Sequence, residues 1–361
     1  MRYIDEFRRP ESVERLLALI RNRSRTPARL MEFCGGHTHA VFRFGLRQLL
    51  PETVSLLAGP GCPVCVTSPT DLDRAIAMSR IKGVTLATFG DMLRVPGSDG
   101  TLQEAKAEGA DVRIVYSTLD ALGIARGNAD REVVFLGVGF ETTAPSVAAA
   151  ILTAQQEGLK NFSILSLHKL TPPAMRAILD AGEVRLSGIL GPGHVTTIIG
   201  ADAWRFLARD YGISCAVAGF EPIDILLAVR ALVENIEKQS PEVVNAYMRS
   251  VRPGGNPQAQ SYVDRVFHVA ATEWRGLGSV PMSGLFLRDA FAGFDATLRF
   301  PVHIEPGKEP PGCLCGEVLR GRVEPTDCPL FCDLCSPEHP IGPCMVSSEG
   351  ACAAHMLYGE A

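Results

Sequence analysis

The sequence lacks any hydrophobic run long enough to cross a membrane, and it has no large excess of charge of either sign. A transmembrane helix needs about 20 mostly apolar residues in a row, and no segment of the 361-residue chain provides them. The first ten residues are charged and lack the apolar core of a secretory signal. A formal net charge of −5 gives no general attraction to nucleic acid. We therefore expect a cytoplasmic protein with no membrane or nucleic-acid partner.

The cysteines also do not fit a set of structural disulfides. Thiols stay reduced in the cytoplasm, and the total of 11 is odd, so they cannot all pair. Most of them lie near the C-terminus, at Cys313, Cys315, Cys328, Cys332, Cys335, Cys344 and Cys352. In a reducing compartment, clustered cysteines are more often metal ligands or redox catalysts. The sequence therefore predicts a metal or redox centre in this tail.

Short apolar runs alternate with helical patterns through the central part of the chain. The apolar runs cover residues 30–33, 54–58, 84–88, 112–116, 133–138, 163–167, 188–190 and 214–218. Helical patterns lie between them at residues 69–80, 101–108, 144–157 and 172–181. This rhythm is typical of βαβ units and parallel sheets. The runs are apolar throughout, as expected of strands that are covered on both faces.

A weak internal repeat suggests two lobes. The Gly-Pro-Gly of residues 59–61 recurs at 191–193, and the Gly-Phe-Glu of residues 139–141 recurs at 219–221. We therefore predict an α/β protein with two similar Rossmann-like lobes, at residues 28–128 and 129–225.

The remaining segments, 1–27 and 226–361, are expected to form a helical arm and a helical, cysteine-rich domain. Helices are predicted over residues 10–21 and 221–238, and another after Pro241. The tail beyond residue 301 is rich in proline, glycine and cysteine, so a bound metal centre would supply the stability that apolar burial does not.

The spacing of the tail cysteines leaves three kinds of centre open. Structural zinc sites usually use two C-x2-C pairs, and in the tail only Cys332 and Cys335 have that spacing. An iron–sulfur cluster tolerates irregular spacing and is the favoured interpretation. The triplet Cys328, Cys332 and Cys335 matches that of radical-SAM enzymes, but too few residues follow it to build their barrel.

A second signal lies where an apolar run ends in Cys34, Gly35 and Gly36, followed by His37 and His39. Ligands of parallel α/β proteins bind at the carboxyl ends of strands. A thiolate near histidines suits a soft metal such as low-spin iron, or a reactive nucleophile. The alternative is a buried cysteine beside a tight turn.

Three further features lie after or within apolar runs. Cys62 and Cys65 form a C-x2-C pair typical of a redox dithiol, although half of a zinc site remains an alternative. Glu141 and His194 could contact a ligand in the cleft between the lobes; the alternatives are a helix cap for Glu141 and a surface loop for His194. Cys215 lies within an apolar run and is expected in the core.

Together these segments resemble the HypD family of hydrogenase maturation proteins. The matching residues are 32–39, 59–65, 139–145, 191–195 and 340–350. The resemblance spans nearly the whole chain, and the last motif is highly specific. In one departure, Cys332 stands where a glycine is expected in the family.

The resemblance implies a redox-active scaffold, rather than a free-standing enzyme, on which the Fe(CN)2CO group of NiFe hydrogenase is assembled. It implies a HypC-type chaperone and a HypE-type cyanide donor as partners, bound transiently by a monomer. It makes Cys34 the thiolate that binds mononuclear iron, with His37 close by, and Cys62 and Cys65 a redox dithiol.

The resemblance also implies a 4Fe-4S cluster in the tail, arranged as in ferredoxin:thioredoxin reductase. By this analogy, the cluster ligands are Cys313, Cys328, Cys335 and Cys352, and the second dithiol is Cys315 and Cys344. The cluster would pass electrons through this dithiol to the first one. Two rival functions remain: a stand-alone iron–sulfur thiol–disulfide oxidoreductase, and a zinc-stabilised binding module.

Overall fold

The computed structural model describes residues 4–359, so residues 1–3, 360 and 361 of the predicted end segments lie outside the described part. The strands are β1 (Ala28–Glu32), β2 (Val54–Ala58), β3 (Val84–Thr88), β4 (Asp111–Ile114), β5 (Glu132–Gly139), β6 (Phe162–His168), β7 (Gly188–Pro192), β8 (Ser214–Ala218), β9 (Val243–Asn245), β10 (Phe267–Trp274) and β11 (Gly278–Leu287).

The α-helices are α1 (Pro10–Arg23), α2 (Gly35–Arg43), α3 (Leu46–Leu49), α4 (Pro63–Val66), α5 (Pro69–Ser79), α6 (Leu102–Ala107), α7 (Thr118–Gly127), α8 (Ala144–Gln156), α9 (Thr171–Ala181), α10 (Gly193–Ile199), α11 (Arg205–Tyr211), α12 (Pro222–Lys238), α13 (Pro257–Val266), α14 (Ala296–Arg299), α15 (Cys315–Leu319) and α16 (Ala351–Tyr358). Short 3-10 helices cover Asp5–Phe7, Gly90–Arg94, Ala201–Trp204, Asp289–Phe294, Pro325–Asp327 and Pro343–Met345. In the described range, none of the helices combines the length and apolarity needed to cross a membrane.

The predicted α/β class with parallel sheets is confirmed. Each apolar run predicted as a strand forms one of the strands β1 to β8. The first sheet has the order β2-β1-β7-β8-β9 and the second the order β4-β3-β5-β6. Neighbouring strands are parallel in both sheets. Strands β3 and β8 are buried at every position, which explains why their sequences are apolar without alternation.

The two sheets do not follow the expected division of the chain into residues 28–128 and 129–225. The first sheet joins β1 and β2 to β7 and β8, while the second joins β3 and β4 to β5 and β6. Parallel strands need crossover connections, so strands that follow one another in sequence do not have to pair. As a result β1 lies beside β7, with Glu32 opposite Leu190.

Helices α1 and α12 cover one face of the first sheet. Leu16, Leu17 and Ile20 recur at helical spacing along α1 and are buried. They join an apolar cluster that includes Leu30 of β1 and Val229 of α12. Burial of each such side chain contributes about 1.5–3 kcal/mol. This apolar packing holds α1 and α12 against the first sheet.

Two expectations for the C-terminal part were wrong. The segment after Pro241 forms the short strand β9 rather than a helix, because it pairs with the edge of β8. The region expected to be helical also contains an antiparallel hairpin, β10–β11. Most residues of β10 are exposed or half-buried, so this strand lacks the apolar run by which the other strands were predicted.

Candidate functional site

Four loops meet at the carboxyl edge of the first sheet. The loop after β2 carries Cys62 and Cys65, the loop after β1 carries Cys34, and the segment after β7 carries His194. The loop after β8 carries Phe220. Because neighbouring parallel strands end at the same edge, the strand order places these residues in a row.

Cys34 is a buried thiol in contact with a histidine. It lies between β1 and α2 and is 2% exposed. Its Sγ is 3.5 Å from Nδ1 of His194, although 160 residues separate the two in sequence. Burial raises the pKa of the Cys34 thiol far above its ordinary value, and the nearby carboxyl of Glu349 raises it further. The thiol is therefore neutral and would lose its proton on binding a metal ion.

His37 is a neutral imidazole with one free nitrogen. It is fully buried, and its Nε2–H donates to the carbonyl oxygens of Ala218 and Gly219 at 3.2 and 3.0 Å. Burial, with a contribution from His194, lowers the pKa of His37 to about 4. Nδ1 is buried and has no hydrogen-bond partner within residues 4–359. A neutral imidazole held by one nitrogen and bare at the other is the form that binds metals.

Two glycines allow the loops around Cys34 to touch. The N–H of Gly35 donates to the carbonyl oxygen of Gly61 at 2.9 Å. A Cβ atom on Gly61 would overlap the backbone of Cys34, and one on Gly35 would lie 2.5 Å from the carbonyl oxygen of Glu349. The loops after β1 and β2 and the C-terminal motif of residues 340–350 are thus packed backbone to backbone.

A cleft of about 360 Å³ opens onto Cys34. The rings of His194 and Phe220 lie 5.4 Å apart in its wall, and Glu349 and Arg43 also line it. At its rim Arg8 forms an ion pair with Glu221. The cleft can therefore admit a small ligand to the thiol while keeping it among polar and aromatic groups.

Cys62 and Cys65 form a disulfide beside this cleft. Both are buried, at 3% and 0% exposure, and they bracket the start of the short helix α4. Cys65 Sγ lies 3.8 Å from the carbonyl oxygen of Pro343, the residue before Cys344. The C-x2-C pair thus adjoins the cysteine-rich tail.

Five tail cysteines form one largely buried thiol cluster, and these are Cys313, Cys315, Cys335, Cys344 and Cys352. The Cys315 thiol lies close enough to those of Cys313, Cys344 and Cys352 to perturb the pKa of each. Cys335 Sγ accepts a hydrogen bond from the N–H of Ile341 at 3.3 Å. The cluster therefore contains the predicted dithiol Cys315 and Cys344, and three of the four predicted cluster ligands.

The thiols in this cluster differ in acidity. Hydrogen bonds from Cys315 and Cys344 lower the pKa of Cys352 to about 6. The same contacts, together with burial, raise the pKa of Cys344 well above its ordinary value. The cluster therefore favours Cys352 over Cys344 as a thiolate.

The two other tail cysteines lie apart. The Cys328 thiol contacts the carbonyl oxygen of Gly312 at 3.9 Å. Cys332 is exposed, and its Sγ lies 3.2 Å from Sδ of Met356. The φ of Cys332 is 63°, in the left-handed region that favours glycine. This conformation explains why a glycine is expected at this position in the family. In the described part of the chain, His, Cys, Asp and Glu side chains do not converge in groups of three that could hold a metal ion. The proposed ligand set therefore stays a prediction.

Of the residues that sequence reasoning left open, Glu141 is a helix cap. Its Oε1 accepts hydrogen bonds from the N–H and the hydroxyl of Thr171, the first residue of α9, at 2.7 and 3.1 Å. It lies at the end of β5 in the second sheet and not in the Cys34 cleft. Cys215 is a core residue, as predicted, with no exposed surface.

Sequence reasoning missed Phe220 and Glu349 as neighbours of Cys34. Both lie in motifs that the sequence analysis had noted, Phe220 in the Gly-Phe-Glu repeat and Glu349 in residues 340–350. These motifs marked both residues as candidates for a functional site. The motifs did not indicate that both residues lie near Cys34.

Comparison with known proteins agrees with the sequence resemblance. A sequence model of HypD, described as "Hydrogenase formation hypA family", matches residues 11–359. The chain is 50% identical to the hydrogenase maturation factor HypD of Azotobacter vinelandii, over 100% of this chain and 97% of that protein. It is 47% identical to that of Cupriavidus necator, over 100% and 98%, and 44% identical to that of Escherichia coli, over 100% and 99%.

Proposed function

The chain belongs to the HypD family of hydrogenase maturation factors, and we propose that it is a redox-active scaffold for assembly of the Fe(CN)2CO group, with the iron bound at Cys34. The meeting of Cys34, His194 and the Cys62–Cys65 disulfide at one sheet edge is the observation that supports this most. A thiolate with neutral imidazoles suits low-spin iron with strong-field ligands. The iron fragment is cargo that the scaffold later passes on.

Cys34 and His37 supply the groups that would hold the cargo. When iron binds, an Fe–S bond forms as the S–H bond of Cys34 breaks, and the proton leaves to solvent. The raised pKa of Cys34 keeps the thiol protonated until then. The bare Nδ1 of His37 offers a second donor or a hydrogen-bond acceptor.

The partners act from the open side of the cleft in this proposal. A HypC-type chaperone would complete the coordination of the iron, and a HypE-type donor would deliver cyanide. The guanidinium of Arg43 in the cleft wall gives positive charge where anionic cyanide enters. Phe220 and the Arg8–Glu221 ion pair at the rim offer the contacts against which a partner would dock.

The tail thiols are the type of donor that holds an iron–sulfur cluster. Cys313, Cys335 and Cys352 share one cluster of thiols, and the N–H of Ile341 on Cys335 Sγ is a contact found around such clusters. We propose that these three and Cys328 hold a 4Fe-4S cluster, which would supply electrons one at a time. Cys328 would have to move inward from Gly312 to join them.

The remaining thiols form a relay in this proposal. The Cys315 and Cys344 thiols give up two electrons and two protons and join in a disulfide, while the S–S bond of Cys62 and Cys65 breaks and takes up the two electrons and one proton. The other proton leaves to solvent. The contact of Cys65 with Pro343 places the two pairs next to each other. The reduced Cys62 and Cys65 then support ligand attachment at iron.

The rival functions use fewer of these features. A stand-alone thiol–disulfide oxidoreductase would use both dithiols but would leave the contact between Cys34 and His194 without a role. A zinc-stabilised binding module would give the Cys62–Cys65 disulfide no functional role.

Infrared spectroscopy of the complex with a HypC-type chaperone tests the iron site. The anaerobically purified complex should show cyanide and CO stretches, and Cys34→Ala should remove them. Cys215→Ala is a matched control, because Cys215 is also a buried thiol, lies in β8 of the first sheet and does not line the cleft. Bands at full intensity in Cys34→Ala would rule out Cys34 as the iron ligand.

Metal analysis tests the cluster. The protein should contain about four iron and four sulfide per chain beyond any mononuclear iron. Stoichiometric zinc in place of iron would exclude the cluster and favour the binding module.

A further inference from the structure

A buried arginine joins the two thiol segments. Arg275 lies at the turn between β10 and β11 and is 1% exposed. Its backbone N–H donates to the carbonyl oxygen of Val66 and its Nε to that of Thr67, both at 2.9 Å. These carbonyls lie at the end of the α4 segment that carries Cys65. The charge of Arg275 is therefore fixed next to the disulfide loop.

The same turn also packs against the cysteine-rich tail, at Gly316. Gly276, with a φ of 79°, packs so closely that a Cβ atom there would lie 2.8 Å from Cα of Gly316. Gly316 follows Cys315 at the start of α15. Trp274, on the other side of Arg275, packs in the apolar cluster that contains Cys65 and Cys344. The hairpin tip thus contacts the segments that carry both dithiols.

The charge of Arg275 is only partly neutralised. Its Nη1 pairs with Glu309 at 2.7 Å, but the Glu309 side chain is 52% exposed whereas that of Arg275 has no exposed surface. Solvent screens the carboxylate more than the guanidinium, and a buried charge acts over a longer range than an exposed one. A buried guanidinium is also costly to remove from water.

We propose that Arg275 is a positioning residue that sets the reduction potential of the Cys62–Cys65 disulfide. This proposal rests on the redox role proposed above for that pair. When the S–S bond takes up two electrons, one sulfur takes a proton and the other keeps thiolate character. Cys62 is suited to the latter, because its Sγ accepts the N–H of Cys65 at 3.2 Å. A fixed cation nearby favours this reduced form over the neutral disulfide.

The test is a redox titration of Cys62 and Cys65. The full chain is equilibrated anaerobically in mixtures of reduced and oxidised dithiothreitol, which donates the two electrons and closes to its own cyclic disulfide. Free thiols are then alkylated and Cys62 and Cys65 are quantified by mass spectrometry.

Arg275→Met should make the disulfide harder to reduce by about tenfold in the equilibrium constant, which is about 30 mV. Arg275→Lys, which keeps the charge, should stay close to the wild type. Glu309→Gln removes the counter-ion and should shift the equilibrium the opposite way, by several-fold.

The opposite shifts expected for Arg275→Met and Glu309→Gln distinguish an effect of the Arg275 charge from a purely structural effect. A purely structural role for Arg275 predicts shifts of the same sign, or none, in Arg275→Met and Glu309→Gln, and either result overturns the proposal. If Arg275→Met does not fold, Glu309→Gln is sufficient, because its side chain is half exposed. A wild-type disulfide that no buffer reduces would overturn the redox role of Cys62 and Cys65 as well. Iron binding that fails while these shifts persist would overturn the scaffold proposal alone.

Discussion

Replacing Glu141 by glutamine should remove one component of the pH dependence of stability. Glu141 is 5% exposed and lies at the start of α9, where its Oε1 accepts two hydrogen bonds from Thr171. Its Oε2 is buried with no hydrogen-bond partner among the described residues. Burial therefore raises the pKa of Glu141 from 4.5 to about 7, although the hydrogen bonds oppose the shift.

The sign follows from proton binding. Between pH 4.5 and about 7 the folded protein holds the Glu141 proton while the unfolded chain has lost it. The free energy of unfolding therefore falls as the pH rises through this window. At about 1.4 kcal/mol per pH unit, the stabilisation that is complete below pH 4.5 and lost above about 7 amounts to about 3 kcal/mol. A glutamine cannot ionise and lacks this dependence.

Urea unfolding measured at several pH values tests the prediction. The free energy of unfolding of Glu141→Gln, relative to wild type, should rise by about 3 kcal/mol from below pH 4.5 to above pH 7. The unpartnered amide of the glutamine adds a penalty that is the same at every pH. Glu32, His37 and His168 titrate in both proteins, so their contributions cancel.

An exposed glutamate provides the control. Arg126 lowers the pKa of Glu157 through a side-chain hydrogen bond, so Glu157→Gln should run parallel to the wild type above pH 4.5. A constant difference between Glu141→Gln and the wild type across the whole pH range would refute the reasoning, since it would mean that the buried carboxyl ionises as easily as an exposed one.

Two further substitutions test the loops around the thiols. Gly61→Ala would place a methyl group against the backbone of Cys34 and should lower the free energy of unfolding by about 1–3 kcal/mol and weaken iron binding; Gly123→Ala in α7, where a Cβ meets no atom within 4 Å, is the control and should not destabilise the protein in the same urea assay. Cys332→Gly should relieve a left-handed backbone worth about 1–2 kcal/mol, partly offset by the greater freedom of glycine in the unfolded chain, so the midpoint of thermal unfolding should rise slightly. Cys332→Gly should also leave the cluster absorbance intact, and its loss would mean that Cys332 is a ligand.

The strands could be predicted because their signal is local. A strand such as β8, buried at every position, needs an unbroken apolar run, and that run is visible in the sequence. Helix ends have local signals for the same reason: the N-cap of α6 is Thr101, whose side chain forms a capping box with Glu104. These features depend on residues within one or two turns of each other.

Strand pairing and the hairpin could not be predicted in this way. Which strands pair depends on crossover connections and not on the strands themselves, so the internal repeat suggested a division that the sheets do not follow. The hairpin β10–β11 is partly exposed, polar residues and glycines interrupt its apolar residues, and its pairing extends over both strands. Arg275 at its tip was missed with it.

The pairing of β1 with β7 explains why the residues of the candidate site could be recognised in the sequence although their contacts could not be predicted. Cys34 follows β1 and His194 follows β7, and each follows an apolar run, so each was recognisable alone. Because β2 lies on the other side of β1, the disulfide loop also reaches the same edge, where the carbonyl of Gly61 accepts the N–H of Gly35. If the disulfide is reduced as proposed, a change in that loop would act directly on the backbone beside Cys34. The sheet order, rather than any single motif, couples the thiol pair to the proposed iron ligand.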